Sequence, residues 1–168
     1  IATLITFAQV ALNTVVAPMI SGMHNGGANM AALANKVASM NLVTAGPIFL
    51  AIIGLGPFLI GLFGVHNPWE AYPWLIALAI GQLANAFAGP VLNILNMTGY
   101  EKSAQNTMLV VATLNIVLNA ILIPLLGPQG AALATALTML GWNGWAGYLV
   151  YKYHGIITVP FLAKRSKA

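Results

Sequence analysis

Residues 1–35, 37–69, 71–100 and 103–151 contain no Asp, Glu, Lys or Arg. A surface facing water cannot be built from such stretches, because it needs charge to stay dispersed. Each stretch is long enough to cross a bilayer as a helix, which takes about 20 apolar residues. An ion held at mid-depth would cost roughly 2.5–3.5 kcal/mol, so charge is kept out of such segments. The solvent this pattern dictates is lipid. Hydrophobic residues make up 60% of the chain and charged ones 5%, against about a quarter charged in ordinary globular domains. The formal charge of +4 is spread along the sequence and clusters only at Lys164, Arg165 and Lys167. It reads as a topology signal and not as a nucleic-acid surface. Cysteine is absent, so no disulfide or thiolate metal site enters the argument.

The pattern predicts an all-α polytopic membrane protein with five transmembrane helices, over about 1–20, 42–64, 71–99, 106–126 and 130–153. The breaks between them are Ser21 to Met40 with His24, Asn25, Gly26 and Gly27, then Val65 to Glu70 with Asn67-Pro68, Gly99 to Gln105, and the Gly127-Pro128-Gln129 turn. Lys36 falls in the first connection, Lys102 in the third, and Lys152, Lys164, Arg165 and Lys167 at or after the fifth span, whereas the second connection carries only Glu70. All the cations therefore share one face, cytoplasmic by the positive-inside rule, and the C-terminus is expected there too. Trp69, Tyr72 and Trp74 fit the outer interface, and Tyr100, Tyr148, Tyr151 and Tyr153 the inner one. The sequence starts at Ile1 inside an apolar segment, with no charged leader or cleavage site, and reads as the C-terminal lobe of a longer protein, residues 1–168 forming one unit.

Polar residues at membrane depth are the candidates for function. Gln82, Asn85, Gly89, Asn93, Asn96 and Tyr100 are spaced by three or four and form one helical stripe. An amide without partners in hydrocarbon costs several kcal/mol, so the stripe must face protein or water. Gly89-Pro90 interrupts it, since proline removes an N–H and frees the Ala86 carbonyl; Pro47 and Pro57 are candidate kinks of the same kind in the second span. Shorter stripes are Thr6/Gln9/Asn13, Asn115/Asn119 and Thr135/Thr138/Trp142/Trp145. Substrate-cavity candidates are thus Gln82, Asn85, Asn93, Asn96, Asn13, Asn115 and Asn119, against the plainer alternative that these amides only join helices, for about 0.6 kcal/mol each. Glu70 and Glu101 fall at connections, as do His24, His66 and His154. The residues show no nucleophile with a base, no phosphate-cradling loop and no metal-ligand spacing, so neither catalysis nor a cofactor is expected.

Two stretches carry a family resemblance. Gly81-Gln82-Leu83 through Ala88-Gly89-Pro90 to Asn96-Met97-Thr98-Gly99-Tyr100-Glu101-Lys102 resembles the tenth helix and following turn of polysaccharide flippases, the lipid-linked oligosaccharide exporters of the multidrug/oligosaccharidyl-lipid/polysaccharide superfamily. Asn115 through Asn119 to Leu122-Ile123-Pro124-Leu125-Leu126-Gly127 and Gly130-Ala131-Ala132 is similar to their join between helices eleven and twelve. Ala11-Leu12-Asn13-Thr14-Val15-Val16-Ala17-Pro18 is a weaker match to the end of helix eight. The resemblance implies helices eight to twelve of a two-lobe transporter in the cytoplasmic membrane. Its implied substrate is an isoprenoid-pyrophosphate-linked oligosaccharide, its implied partners are membrane lipid and an N-terminal lobe, and nucleic acid has no part in it. A multidrug cation antiporter of the same fold is the alternative, and a non-transporting membrane scaffold a third reading.

Overall fold

A computed structural model of the chain describes residues 1–22, 27–158 and Pro160. Among these, the elements are α1 (Leu4–Gly22), α2 (Gly27–Leu62), α3 (Pro68–Ala88), α4 (Val91–Met97), α5 (Glu101–Leu126) and α6 (Pro128–His154). They make five passes, the third divided into α3 and α4. His24, Asn25, Gly26, Lys164, Arg165 and Lys167 lie outside the described residues.

Two Gly-Pro pairs set the breaks. A residue before proline is pushed out of the α region into extended ψ. Gly89 (φ 69°, ψ −147°) and Gly127 (φ 65°, ψ −150°) meet that demand at positive φ, in a region open essentially to glycine alone. At the second pair the Gly127 N–H closes α5 on the Ile123 carbonyl at 2.8 Å, and Pro128 opens α6 at a position where its missing N–H has no intrahelical partner to lose. Asn67-Pro68 begins α3 in the same manner, with Glu70 in the first turn accepting a 2.7 Å bond from the Asn67 side chain.

Gly46-Pro47 and Gly56-Pro57, in contrast, leave α2 unbroken. Helix α2 runs on through both prolines without the division seen at Gly89-Pro90. At Pro57 the reason is visible. Its ring removes the N–H that would have bonded the Ile53 carbonyl, and the Tyr72 hydroxyl on α3 donates to that carbonyl instead. The Tyr72 ring lies where a Cβ on residue 56 would stand, so the glycine before the proline makes the room.

The first connection also differs from the sequence expectation. Instead of a break from Ser21 to Met40, α2 starts at Gly27 and runs 36 residues, about 54 Å at 1.5 Å per residue, well beyond the roughly 30 Å hydrocarbon core. Glycine, asparagine and one lysine gave this segment a loop-like look. Its alanines are strong helix formers, and Met30, Ala34, Val37 and Ala38 form a buried face. Smaller differences are the start of the fourth pass at Glu101 and the 128–154 extent of the fifth.

By length and composition α2 from Met30, α3 and α5 can each cross a membrane, and α6, at 27 residues, packs along both α3 and α5. The broken third pass is the hub. Helix α3 packs on α1, α2 and α6, and α4 on α1, α5 and α6, whereas α5 packs chiefly on α6 and, less, on α4. One apolar cluster around Val37, Ile94, Leu95 and Val150 fills the lysine end, and a second around Ile5, Ile52, Leu75 and Ala79 the opposite end. Small residues bring backbones together. Gly81 lies within van der Waals contact of the Ala136 backbone, Gly89 abuts Ala38, and Gly130 seats on the Leu122 carbonyl.

Candidate functional site

The contacts above fix a common register. Ala38 opposes Gly89 and Gly56 opposes Tyr72, so α2 and α3 run antiparallel with Asn41 level with Ala86. Gly81 opposes Ala136 and Met139, and the Thr98 hydroxyl meets His154 Nε2 at 2.9 Å. The third pass and α6 are therefore parallel, with Asn143 near the same level. Asn85 Nδ2 donates to Gln9 Oε1 on α1 at 3.1 Å. Amides from four helices, Gln9, Asn41, Asn85 and Asn143, thus share one level within about a turn, joined by Gln82 one turn away. That level is the middle of the third pass, directly beside the α3–α4 break.

The layer is buried and only partly satisfied. Gln9 is 2% exposed, Asn41 1% and Asn143 6%. Gln9 Nε2, Asn13 Oδ1, Gln82 Oε1, Asn143 Oδ1 and both side-chain polar atoms of Asn41 are buried without a hydrogen-bond partner among the described residues. Asn143 Nδ2 is satisfied within its own helix by the Met139 carbonyl at 2.7 Å. Burying an unpaired amide group costs about 1–3 kcal/mol, and most native polar groups avoid it. So dense a set is a surplus of neutral donors and acceptors at the depth where membrane transporters hold their substrates.

The helix break divides the polar stripe read from the sequence. Gln82 and Asn85 stay on α3, and Asn93 and Asn96 move to α4. Asn85 and Asn93 both reach α1, the latter donating to the Asn13 carbonyl at 3.3 Å. Asn96 is exposed near the end of α4. Asn115 and Asn119 form a separate group, Asn115 donating to Thr138 Oγ1 at 3.0 Å and Asn119 to the Asn115 carbonyl and side chain. Asn41 and Asn143 were not singled out from the sequence. Asn41 repeats the helical spacing of Ala34, Ala38 and Ala45, all buried, a signal masked by treating its surroundings as a loop.

The lysine end is a polar aromatic cluster. The Tyr100 and Tyr153 rings stack with centroids 4.0 Å apart, His154 meets Tyr100 edge-on at 5.3 Å, and the Ser103 and Tyr153 hydroxyls lie 3.2 Å apart. Lys102 and Lys152 are exposed around it. Lys36, also exposed, is level with Val91, close enough to that end for its ammonium to snorkel to the interface. Glu70 and Glu101 are exposed in the first turns of α3 and α5. Among the described residues no three of His, Cys, Asp or Glu come together.

No known family profile matches the chain, and no curated protein matches it. Among solved structures, an outward-facing multidrug resistance MATE family transporter of the MOP superfamily is similar, with a TM-score of 0.60 and 25% sequence identity over 99% of this chain. The match covers 40% of that transporter, so the chain spans about two fifths of its length. The likeness agrees with the helices in placing the chain among all-α, multi-pass membrane folds.

Proposed function

We propose that the chain is the C-terminal lobe of a flippase that moves an isoprenoid-pyrophosphate-linked oligosaccharide across the cytoplasmic membrane by alternating access. The observation that carries this reading is the uncharged amide layer at mid-depth beside a broken helix. Neutral amides exchange hydrogen bonds readily with sugar hydroxyls, and a glycine break supplies a hinge in the wall. The similarity to a MOP superfamily transporter supports a transport role, and the Asn96 to Lys102 turn supports the polysaccharide branch. The pyrophosphate needs cations or aimed N–H donors, which on this reading come from the other lobe. The lysine end faces the cytoplasm.

A multidrug cation exporter is the second reading, favoured by the stated function of the structural neighbour. An organic cation calls for a carboxylate in the cavity wall, and both acids of this chain lie at helix ends. The test is substitution of Asn85 and Asn93 by Ala in the full-length protein, scored for lipid-linked oligosaccharide translocation and for fluorescent-cation export. Loss of oligosaccharide translocation at unchanged expression and folding supports the proposal. Cation export with no sugar-lipid movement refutes it, and loss of folded protein alone shows that these amides act only as links between helices.

A further inference from the structure

The Thr138/Trp142/Trp145 face of α6 lies apart from the amide layer. With α5 it encloses a cleft of about 420 Å³, within the roughly 300–1,000 Å³ of small-molecule sites. Asn106, Thr107, Val110 and Leu114 form the α5 wall, and Trp142, Trp145 and Leu149 the α6 wall. Its deep end is closed by the Asn115–Thr138 hydrogen bond. Thr107 and Thr138 are each 4% exposed, and their hydroxyls donate to the Ser103 and Ala134 carbonyls of their own helices. Those two groups therefore ask no hydrogen bond of an occupant. Apart from Ser103 and Asn106 at its mouth, the remaining wall is aliphatic and aromatic.

Length and charge identify what fits. From Ser103 to Leu114 the cleft follows α5 for about 16 Å, close to one leaflet of a hydrocarbon core about 30 Å thick. Its mouth is polar, with Ser103 and Asn106, and each helix carries a lysine just beyond its lining residues. Lys102 is one turn below Asn106, and Lys152 is one turn beyond Leu149, both exposed. Basic pockets between helices at a membrane surface are the usual seats of anionic headgroups. We propose that the α5–α6 cleft seats one acyl chain of an anionic phospholipid from the leaflet on the lysine side, with the phosphate held between Lys102 and Lys152. The proposal does not depend on what the protein transports.

Bromolipid quenching in nanodiscs tests it, using the full-length protein with every tryptophan except Trp142 and Trp145 replaced by Phe. Brominated phosphatidylglycerol should quench at a lower mole fraction than brominated phosphatidylcholine, and Lys102→Gln and Lys152→Gln should each reduce that preference about fivefold, the factor for one cation beside an anionic surface. Gly141 lines the cleft, and a Cβ added there meets nothing within 4 Å, so Gly141→Leu should fill the space and abolish the preference. The exposed lysine variants carry the test independently should that variant misfold. Equal quenching by the two lipids in the parent protein overturns the proposal, as does quenching by aqueous iodide in place of bromolipid.

Discussion

Gly89→Ala tests whether the break in the third pass is held by conformation and by contact together. At φ 69° and ψ −147° an alanine incurs backbone strain of about 1–3 kcal/mol. Its Cβ would also stand 2.8 Å from the Ala38 Cβ and 3.2 Å from the Ala38 Cα. Ala38 is wholly buried, and its Cα belongs to the α2 backbone, so relief requires a shift of the helix. Overpacking of this kind adds about 1–3 kcal/mol. The sum is a loss of about 2–6 kcal/mol, much of the margin of a protein stable by about 5–15. Equilibrium unfolding of the full-length protein in mixed micelles would measure it. Ala38→Gly removes the 2.8 Å contact, at about 1 kcal/mol in helix propensity, and leaves the dihedral strain untouched. The double variant should therefore be more stable than the sum of the singles requires, by about the contact share of 1–3 kcal/mol. A Gly89→Ala protein within 0.5 kcal/mol of the parent, or a double variant with additive losses, refutes the reasoning.

Tyr72→Phe leaves the Ile53 carbonyl without its donor and should destabilise by about 1–3 kcal/mol; adding Pro57→Ala restores a backbone N–H in α2 and should recover most of that loss in the same unfolding assay. A double-mutant cycle on Asn115→Ala and Thr138→Val should give a coupling near 0.6 kcal/mol, the usual worth of an interhelical bond in lipid, and a value above 2 would indicate a linked network. Because this segment has no cysteine, single cysteines at His66 and Lys102 can be labelled with an impermeant maleimide in intact cells and inverted vesicles. The His66 site should react from outside and the Lys102 site from inside, and labelling of both from one side would overturn the five-pass topology.

Much of the architecture was legible because lipid makes charge placement a hard constraint. The charge-free stretches gave the passes, and Gly89-Pro90 and Gly127-Pro128 gave the breaks, since the residue before proline cannot stay helical at low cost. At Gly46-Pro47 and Gly56-Pro57 the helix continues, because whether a proline divides a membrane helix depends on who serves the carbonyl it frees. At Ile53 that donor comes from another helix, nineteen residues away in sequence. The candidate site was legible in part. The stripe of Gln82, Asn85 and Asn93 shows in its spacing, but its pairing with α1 is set by packing. Asn41 and Asn143 become part of a layer only once four helices are in register.

The trio at positions 56, 57 and 72 has a consequence for descent. The tyrosine serves a carbonyl that only the proline leaves bare, and its ring stands on ground that only a glycine concedes. While the proline stays, the tyrosine cannot drift without stranding a polar oxygen in lipid, and while the tyrosine stays, the glycine cannot drift without wedging two helices apart. In the lineage of this protein they should be kept or lost as a set, a correlated exchange that an alignment would display with no coordinates at all.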